Sequence, residues 1–154
     1  MRDRRGFTLV EILIVVVLLA ILAMIVLPKF TNMTTDAYEA ALATDLQTTR
    51  IRIGLYKGEH SDCYPGQQDP DDPRSVNGDD FVADLLSKTD ANGAPGGSLG
   101  PYFHAFPANP YKNNDQTVKV GTGDDLGDES ATEGWYFNVI TGKFSPNDPD
   151  HCGL

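Results

Sequence analysis

Three groups of side chains in this 154-residue chain have the types and spacing to do chemistry. One is a lone carboxylate, Glu11, inside an otherwise uncharged apolar stretch and preceded by Arg2, Arg4 and Arg5. A carboxylate in hydrocarbon costs about 2.5 kcal/mol or more, so it calls for a named partner. The second is a pair of thiols, Cys63 and Cys152, each with a histidine nearby, His60 and His151. In an oxidising compartment two thiols form a disulfide, and with the histidines they make up the ligand set of a Cys₂His₂ zinc site. The adjacency of His151 and Cys152 is poor zinc-ligand spacing, which favours the bridge. A Cys63–Cys152 bridge would close a loop of about 90 residues and stabilise by roughly 4 kcal/mol in the chain-entropy model. The third is the acidic, glycine-rich run Gly121-Thr122-Gly123-Asp124-Asp125-Leu126-Gly127-Asp128-Glu129. Asp124, Asp125, Asp128 and Glu129 offer oxygen ligands to calcium, which takes six to eight; their spacing is not that of an EF-hand, and a solvated loop is the competing reading.

The elements that position these groups begin with the apolar block. Residues 12–27 carry no charge, and residues 7–27 form a helix of roughly 31 Å at about 1.5 Å per residue, enough to cross a bilayer's hydrocarbon core. The arginines before it keep the N-terminus in the cytoplasm while the remainder crosses. A secretory signal would have a shorter apolar region without an acid, and a plain signal anchor leaves Glu11 unpaired.

The run Gly6-Phe7-Thr8-Leu9-Val10-Glu11 followed by a long apolar stretch resembles the class III signal of type IV pilins and of the pseudopilins of type II secretion. The resemblance implies that a membrane-embedded prepilin peptidase cuts between Gly6 and Phe7, and that the new Phe7 amine is N-methylated. It also implies that Glu11 of an incoming subunit pairs with the Phe7 amine of a neighbour in a growing filament. A buried acid left alone is costly and a paired one is tolerated, which would make Glu11 a register device. Two further segments are similar to the major pseudopilins: the helix leading into Leu55-Tyr56-Lys57 and on to Tyr64-Pro65, and the run Gly100-Pro101-Tyr102 with Pro107-Ala108-Asn109-Pro110-Tyr111. The family's C-terminal loop carries calcium-binding acids, whereas this chain ends in a Trp-Tyr-Phe hairpin, so that site does not carry over residue by residue.

Beyond the apolar block, Tyr38, Leu42, Leu46, Thr49, Ile53 and Tyr56 recur at steps of three and four, one face of a helix. One helix over about residues 7–57 follows, with Pro28 expected to bend or locally melt it and Gly58 suited to cap it. The resemblance implies that a break at Pro28 accompanies assembly. Acids at Asp79 and Asp80 ahead of Phe81, Val82, Leu85 and Leu86 predict a short helix. Residues 117–120, 135–140 and 143–145 read as strands, the last two joined by Thr141-Gly142 as a hairpin. His104, in an aromatic segment, reads as structural. The fold class is therefore α+β: a long N-terminal helix packed on a small antiparallel sheet. The divisions are a leader at 1–6 that is removed, a transmembrane and filament-core helix at 7–28, and an extracytoplasmic domain at 29–154.

The formal charge is −10; loss of residues 1–6 removes three Arg and one Asp, leaving 9 basic and 21 acidic side chains, or −12. So acidic a surface argues against nucleic acid as a partner of this subunit alone. The sequence holds no phosphate-binding glycine loop, nucleophile elbow or metalloprotease helix, so no enzyme is expected. What is expected is a type II secretion pseudopilus subunit, anchored in the inner membrane before assembly, with further pseudopilins, the peptidase, an inner-membrane assembly platform and lipid as partners. The alternatives are a type IV pilin of a surface fibre, towards which the cysteine pair leans, and a monomeric membrane-anchored binding module.

Overall fold

The computed structural model of the chain describes residues 6–123 and 130–154, apart from the side chains of residues 27–32. One 51-residue helix, α1 (Leu9–Glu59), opens it, followed by a single 3₁₀ turn (Pro73–Ser75), α2 (Gly78–Leu86), β1 (Val118–Gly121), β2 (Trp135–Asn138) and β3 (Phe144–Pro146). By packing the chain falls into two compact units, Met1–Ala40 and Ala41–Leu154. That boundary lies further along α1 than the end of the apolar block, because packing against the domain begins only at Leu42.

In the first unit the span Leu9–Val26 is long and apolar enough to cross a membrane, and none of it is buried within the chain. A helix apolar on every side needs lipid or other helices around it. The helical assignment runs without interruption through Pro28, so the expected local melting is absent from the single chain. Only one backbone hydrogen bond is lost at a proline, and the turns on either side still hold the helix.

In the second unit the three-and-four spacing becomes a buried stripe: Leu42, Leu46, Thr49, Ile53, Tyr56 and His60 are all at most 4 % exposed. Thr49 satisfies its hydroxyl by donating to the Asp45 carbonyl one turn back. Tyr38, expected on the same stripe, is 53 % exposed and belongs to the other unit. The helix also ends differently. Gly58 lies inside it, and the chain reverses through Ser61 (φ 54°) and Asp62 (φ 71°), with Asp62 N–H closing onto the Lys57 carbonyl at 3.0 Å. This six-to-one closure satisfies a terminal carbonyl. The helix runs one residue past Gly58, to Glu59, and His60, four residues after Tyr56, continues the buried stripe.

α2 forms where its acids and apolar pair require. Asn77 caps it by accepting from Asp79 N–H at 2.9 Å, Asp79 and Asp80 sit in the first turn, and Phe81 and Leu85 are buried one turn apart. Tyr102 and Phe103 then donate their N–H groups to the Leu85 carbonyl, both at 2.9 Å, which draws the Gly100-Pro101-Tyr102 segment onto the helix. Phe103, Phe106, Phe144 and Trp135 follow as a chain of aromatic contacts with centroids 5.2–6.2 Å apart. With the α1 stripe, Phe81, Phe137 and Val139 they form one core.

The sheet is mixed, which corrects the antiparallel expectation while keeping the α+β class. β2 is central and buried throughout; it pairs antiparallel with β3 (Trp135 opposite Pro146, Phe137 opposite Phe144) and parallel with β1 (Val118 beside Trp135, Gly121 beside Asn138). The hairpin dictates the first pairing: Asn138 Oδ1 accepts from Ile140 and Thr141 N–H at 2.9 Å each, ending β2 two residues early, and Gly142 takes φ 69°. The second is allowed because residues 122–134 separate β1 from β2, and a parallel return needs a connection of a dozen or more.

Asp115 ties that connection down. Burial pushes its carboxyl up, but hydrogen bonds from the Thr117 hydroxyl, Thr117 N–H and Gly134 N–H outweigh this and hold it below its usual value. With the folded value below the unfolded one, the stabilisation is present above pH 4 and is lost as pH falls through the folded value. Asp115→Asn should therefore lower the melting temperature at pH 7, by about 1 kcal/mol in stability at this half-buried site, and flatten its acid dependence between pH 4 and 2. Thermal melts of both proteins across that range measure it; parallel curves would assign Asp115 no such role.

Candidate functional site

The described N-terminus begins in non-helical, exposed backbone at Gly6 and Phe7, with Phe7 80 % exposed, and the helix starts at Leu9. A side chain added at Gly6 would meet nothing within 4 Å. The Gly6–Phe7 bond is thus free of both helix and core. Thr8 is the cap. Its hydroxyl oxygen accepts from Glu11 N–H at 3.2 Å, and the Glu11 carboxylate accepts from Thr8 N–H at 3.2 Å and from the Thr8 hydroxyl at 3.1 Å. This is a reciprocal capping box, which satisfies two of the amides that a helix N-terminus otherwise leaves open. Its negative charge also suits the positive end of the helix dipole.

Glu11 is therefore not unpaired within the single chain, as the signal-anchor reading supposed. Its partner, Thr8, carries a role that reasoning from charge alone missed. The signal was present as Thr-x-x-Glu ahead of an apolar run. A capping box lowers the cost of the carboxylate without neutralising it, so the charge is still available to a cation.

The other candidate groups do not converge. Cys63 and Cys152 are free thiols, which corrects the expected disulfide. Arg50 explains their separation: it donates from Nε to the Phe144 carbonyl at 2.9 Å and from Nη2 to the Leu154 carbonyl at 2.7 Å, anchoring the chain end beside its own turn of α1. Cys63 lies past the end of that helix, and the rise from Arg50 to Glu59 alone is about 14 Å. The same separation removes the zinc alternative. His60 is buried, with both ring nitrogens engaged at 2.8 Å, Nδ1 donating to the Tyr56 carbonyl and Nε2 paired with the Thr89 hydroxyl. His151 is bound to Asp148 through Nδ1 at 2.5 Å and stacks on Tyr111. Among the described residues no group of three or more His, Cys, Asp or Glu is arranged to hold a metal. Asp124, Asp125, Asp128 and Glu129 lie outside the described residues. His104 is exposed, so it contributes no core contact.

What joins α1 to the loops is a polar network inside the domain. Tyr56 stacks on His60 at 3.7 Å and donates to Asp84, which also accepts from Gly66 N–H at 2.8 Å; Tyr102 donates to Glu59, and Arg52 lies over Phe103 while donating to the Tyr102 carbonyl. Burial first, and then the Asp84 charge and hydrogen bond, push the Tyr56 hydroxyl far above its ordinary value, and burial pushes Asp84 up. The network holds structure; it presents no nucleophile beside a base in a cavity.

Comparison with known proteins agrees with the N-terminal geometry. The family model for the prokaryotic N-terminal methylation motif matches residues 1–27. Type II secretion system core protein G of Pseudomonas aeruginosa is 28 % identical over 122 residues, covering 79 % of this chain and 78 % of that protein. The Vibrio cholerae core protein G is likewise 28 % identical, over 121 residues, 79 % of this chain and 75 % of its own. No solved structure matches. With the methylation motif at its head and 28 % identity along four-fifths of its length, the chain is similar to core protein G of type II secretion.

Proposed function

We propose that this chain is the repeating subunit of a type II secretion pseudopilus, inserted in the inner membrane with residues 1–6 in the cytoplasm, cleaved after Gly6, methylated on Phe7 and polymerised through α1. The observation that carries the reading is the capped N-terminus: an open Gly6–Phe7 bond immediately before a helix whose only early charge is Glu11. Cleavage leaves a cation on Phe7, three-dimensionally next to its own cap and able to meet the Glu11 of a neighbour. In lipid, helices gain little from mutual hydrophobicity, so packing and this charge pair supply the specificity of assembly. Prepilin peptidase, other pseudopilins and an inner-membrane assembly platform are the partners this requires. The surface-fibre alternative loses its main support with the free thiols.

Calcium at Asp124, Asp125, Asp128 and Glu129 remains a second proposal. Both ends of their loop are tied: Tyr136 Oη and Asn138 Nδ2 donate to the Gly123 carbonyl at 2.6 and 2.9 Å, and Asp115 holds Gly134 N–H at 2.9 Å. Tied ends lower the entropy cost of gathering oxygen ligands, and an all-oxygen donor set suits a hard cation.

The mass of the N-terminal peptide from native membranes should correspond to N-methylated Phe7; material still beginning at Met1 would favour an anchored monomer. Glu11→Ala should abolish filaments seen by electron microscopy, and intact filaments would sink the assembly mechanism. For calcium, the melting temperature should rise on titration, corresponding to about 2.7 kcal/mol at a hundredfold excess over Kd. No shift up to millimolar concentrations would discard it.

A further inference from the structure

The His151 imidazole is fixed in place without being fully used. Its Nδ1 lies 2.5 Å from Asp148 Oδ1, and the same carboxylate oxygen accepts the His151 backbone N–H at 3.0 Å. An ionised carboxylate only accepts, so Nδ1 carries the hydrogen and Nε2 keeps its lone pair. Asp148 is itself held: its side chain is 7 % exposed, and its second oxygen accepts from Asn109 Nδ2 at 3.4 Å. Tyr111 stacks on the imidazole at 3.9 Å and sets the plane of the ring. Nε2 makes no hydrogen bond among the described residues.

The ring forms part of the wall of a cavity of about 300 Å³, lined by Tyr111, Lys112, Asp148, Pro149, Asp150 and His151. Two of these side chains are carboxylates, and the ammonium of Lys112 donates to the Ala131 carbonyl at 3.0 Å. The cavity therefore suits a cation better than an anion. A histidine that gives one ring N–H to a carboxylate and leaves its second nitrogen open is the arrangement in which proteins present imidazole to a metal; the carboxylate sets the tautomer and raises the basicity of the other nitrogen. The Cys₂His₂ arrangement fails because Cys63 is remote, whereas this pair needs neither Cys63 nor His60.

We infer that His151 Nε2 is a ligand for a borderline divalent metal ion such as Zn²⁺, with the exposed Asp150 carboxylate as second ligand, Asp148 as the positioning residue and water completing the shell. Imidazole nitrogen suits Zn²⁺, Cu²⁺ and Ni²⁺, whereas calcium takes six to eight oxygens, so the site differs in chemistry from the oxygen-only set of Asp124, Asp125, Asp128 and Glu129. Two protein ligands make a site of modest affinity, consistent with the absence of a group of three among the described residues. A metal held here would tie Asp150 to His151 within the segment that leads to the Arg50-anchored chain end. The inference stands on the domain half of the chain and does not depend on the pseudopilus reading.

The test titrates Zn²⁺ alone, and Ca²⁺ for comparison, into the full-length chain in detergent, reading affinity by calorimetry and the imidazole nitrogens by nitrogen-15 NMR. Saturable Zn²⁺ binding should shift the His151 Nε2 resonance more than that of Nδ1, and Ca²⁺ should leave both in place. His151→Gln should weaken binding about tenfold or more, and Asp148→Asn, which keeps an acceptor for Nδ1 but loses the charge, by about 10- to 100-fold. His104→Gln, at an exposed histidine elsewhere in the domain, should bind as the parent does. Melting without metal shows whether each variant is folded; if His151→Gln is not, the Nε2 shift of the parent decides alone. An Nε2 resonance unmoved by millimolar Zn²⁺ would overturn the site. So would loss of binding in Cys152→Ser with His151→Gln unaffected, which would assign the metal to the thiol instead.

Discussion

The Leu9–Val26 span of α1 is nowhere buried within its own chain, and that constraint governs what the chain needs around it. A helix with apolar side chains on every face and no burial within the chain is stable only in lipid or among other helices. In the proposed function the molecule passes between those two environments without exposing that surface to water. Hydrophobicity alone does not distinguish lipid from a bundle of identical helices, since hydrocarbon tails are as apolar as leucine. A single charge at a defined height does. Glu11 is such a charge in an otherwise uniform cylinder, and the Thr8 N–H and hydroxyl donate to its carboxylate within the single chain.

The domain half solves a different problem with the same helix. Its buried stripe continues the three-and-four spacing two residues beyond the glycine that would have ended it, so that His60 closes the stripe and Tyr56, Glu59 and Arg52 engage the loops. The aromatic run from Phe103 through Phe106 and Phe144 to Trp135 then couples these loops to the sheet. Because the hydrogen bonds of this network are made almost entirely to backbone carbonyls or between neighbouring side chains, the domain carries many polar groups in its interior without isolated charge. The resulting body holds the domain half of α1 against both the loops and the sheet.

Much of this was legible in the sequence. The apolar run marked the span that is long enough to cross a membrane, because hydrophobic length is a local property and needs no tertiary partner. The spacing of Leu42, Leu46, Thr49, Ile53 and Tyr56 determined which face of α1 is buried, and the Asp79-Asp80-Phe81 order determined α2, for the same reason: helical periodicity is written in consecutive residues. Thr8 as the cap of Glu11 was also written there, in the Thr-x-x-Glu spacing.

Only the tertiary structure decided the rest. Whether β1 runs parallel or antiparallel to β2 depends on how residues 122–134 return, which local propensity does not record. Whether Cys63 and Cys152 meet depends on where the chain end is anchored, and Arg50 anchors it more than two helical turns before the end of α1 that leads to Cys63. The end of α1 moved past Gly58 because burial of His60 outweighs the local preference of glycine for a cap, leaving Gly58 and Gly54 on an open helix face. In each case the deciding contact joins residues far apart in the chain. Such contacts are set by the packing of the assembled core, whereas the sequence specifies directly only what neighbours along the chain can settle between themselves.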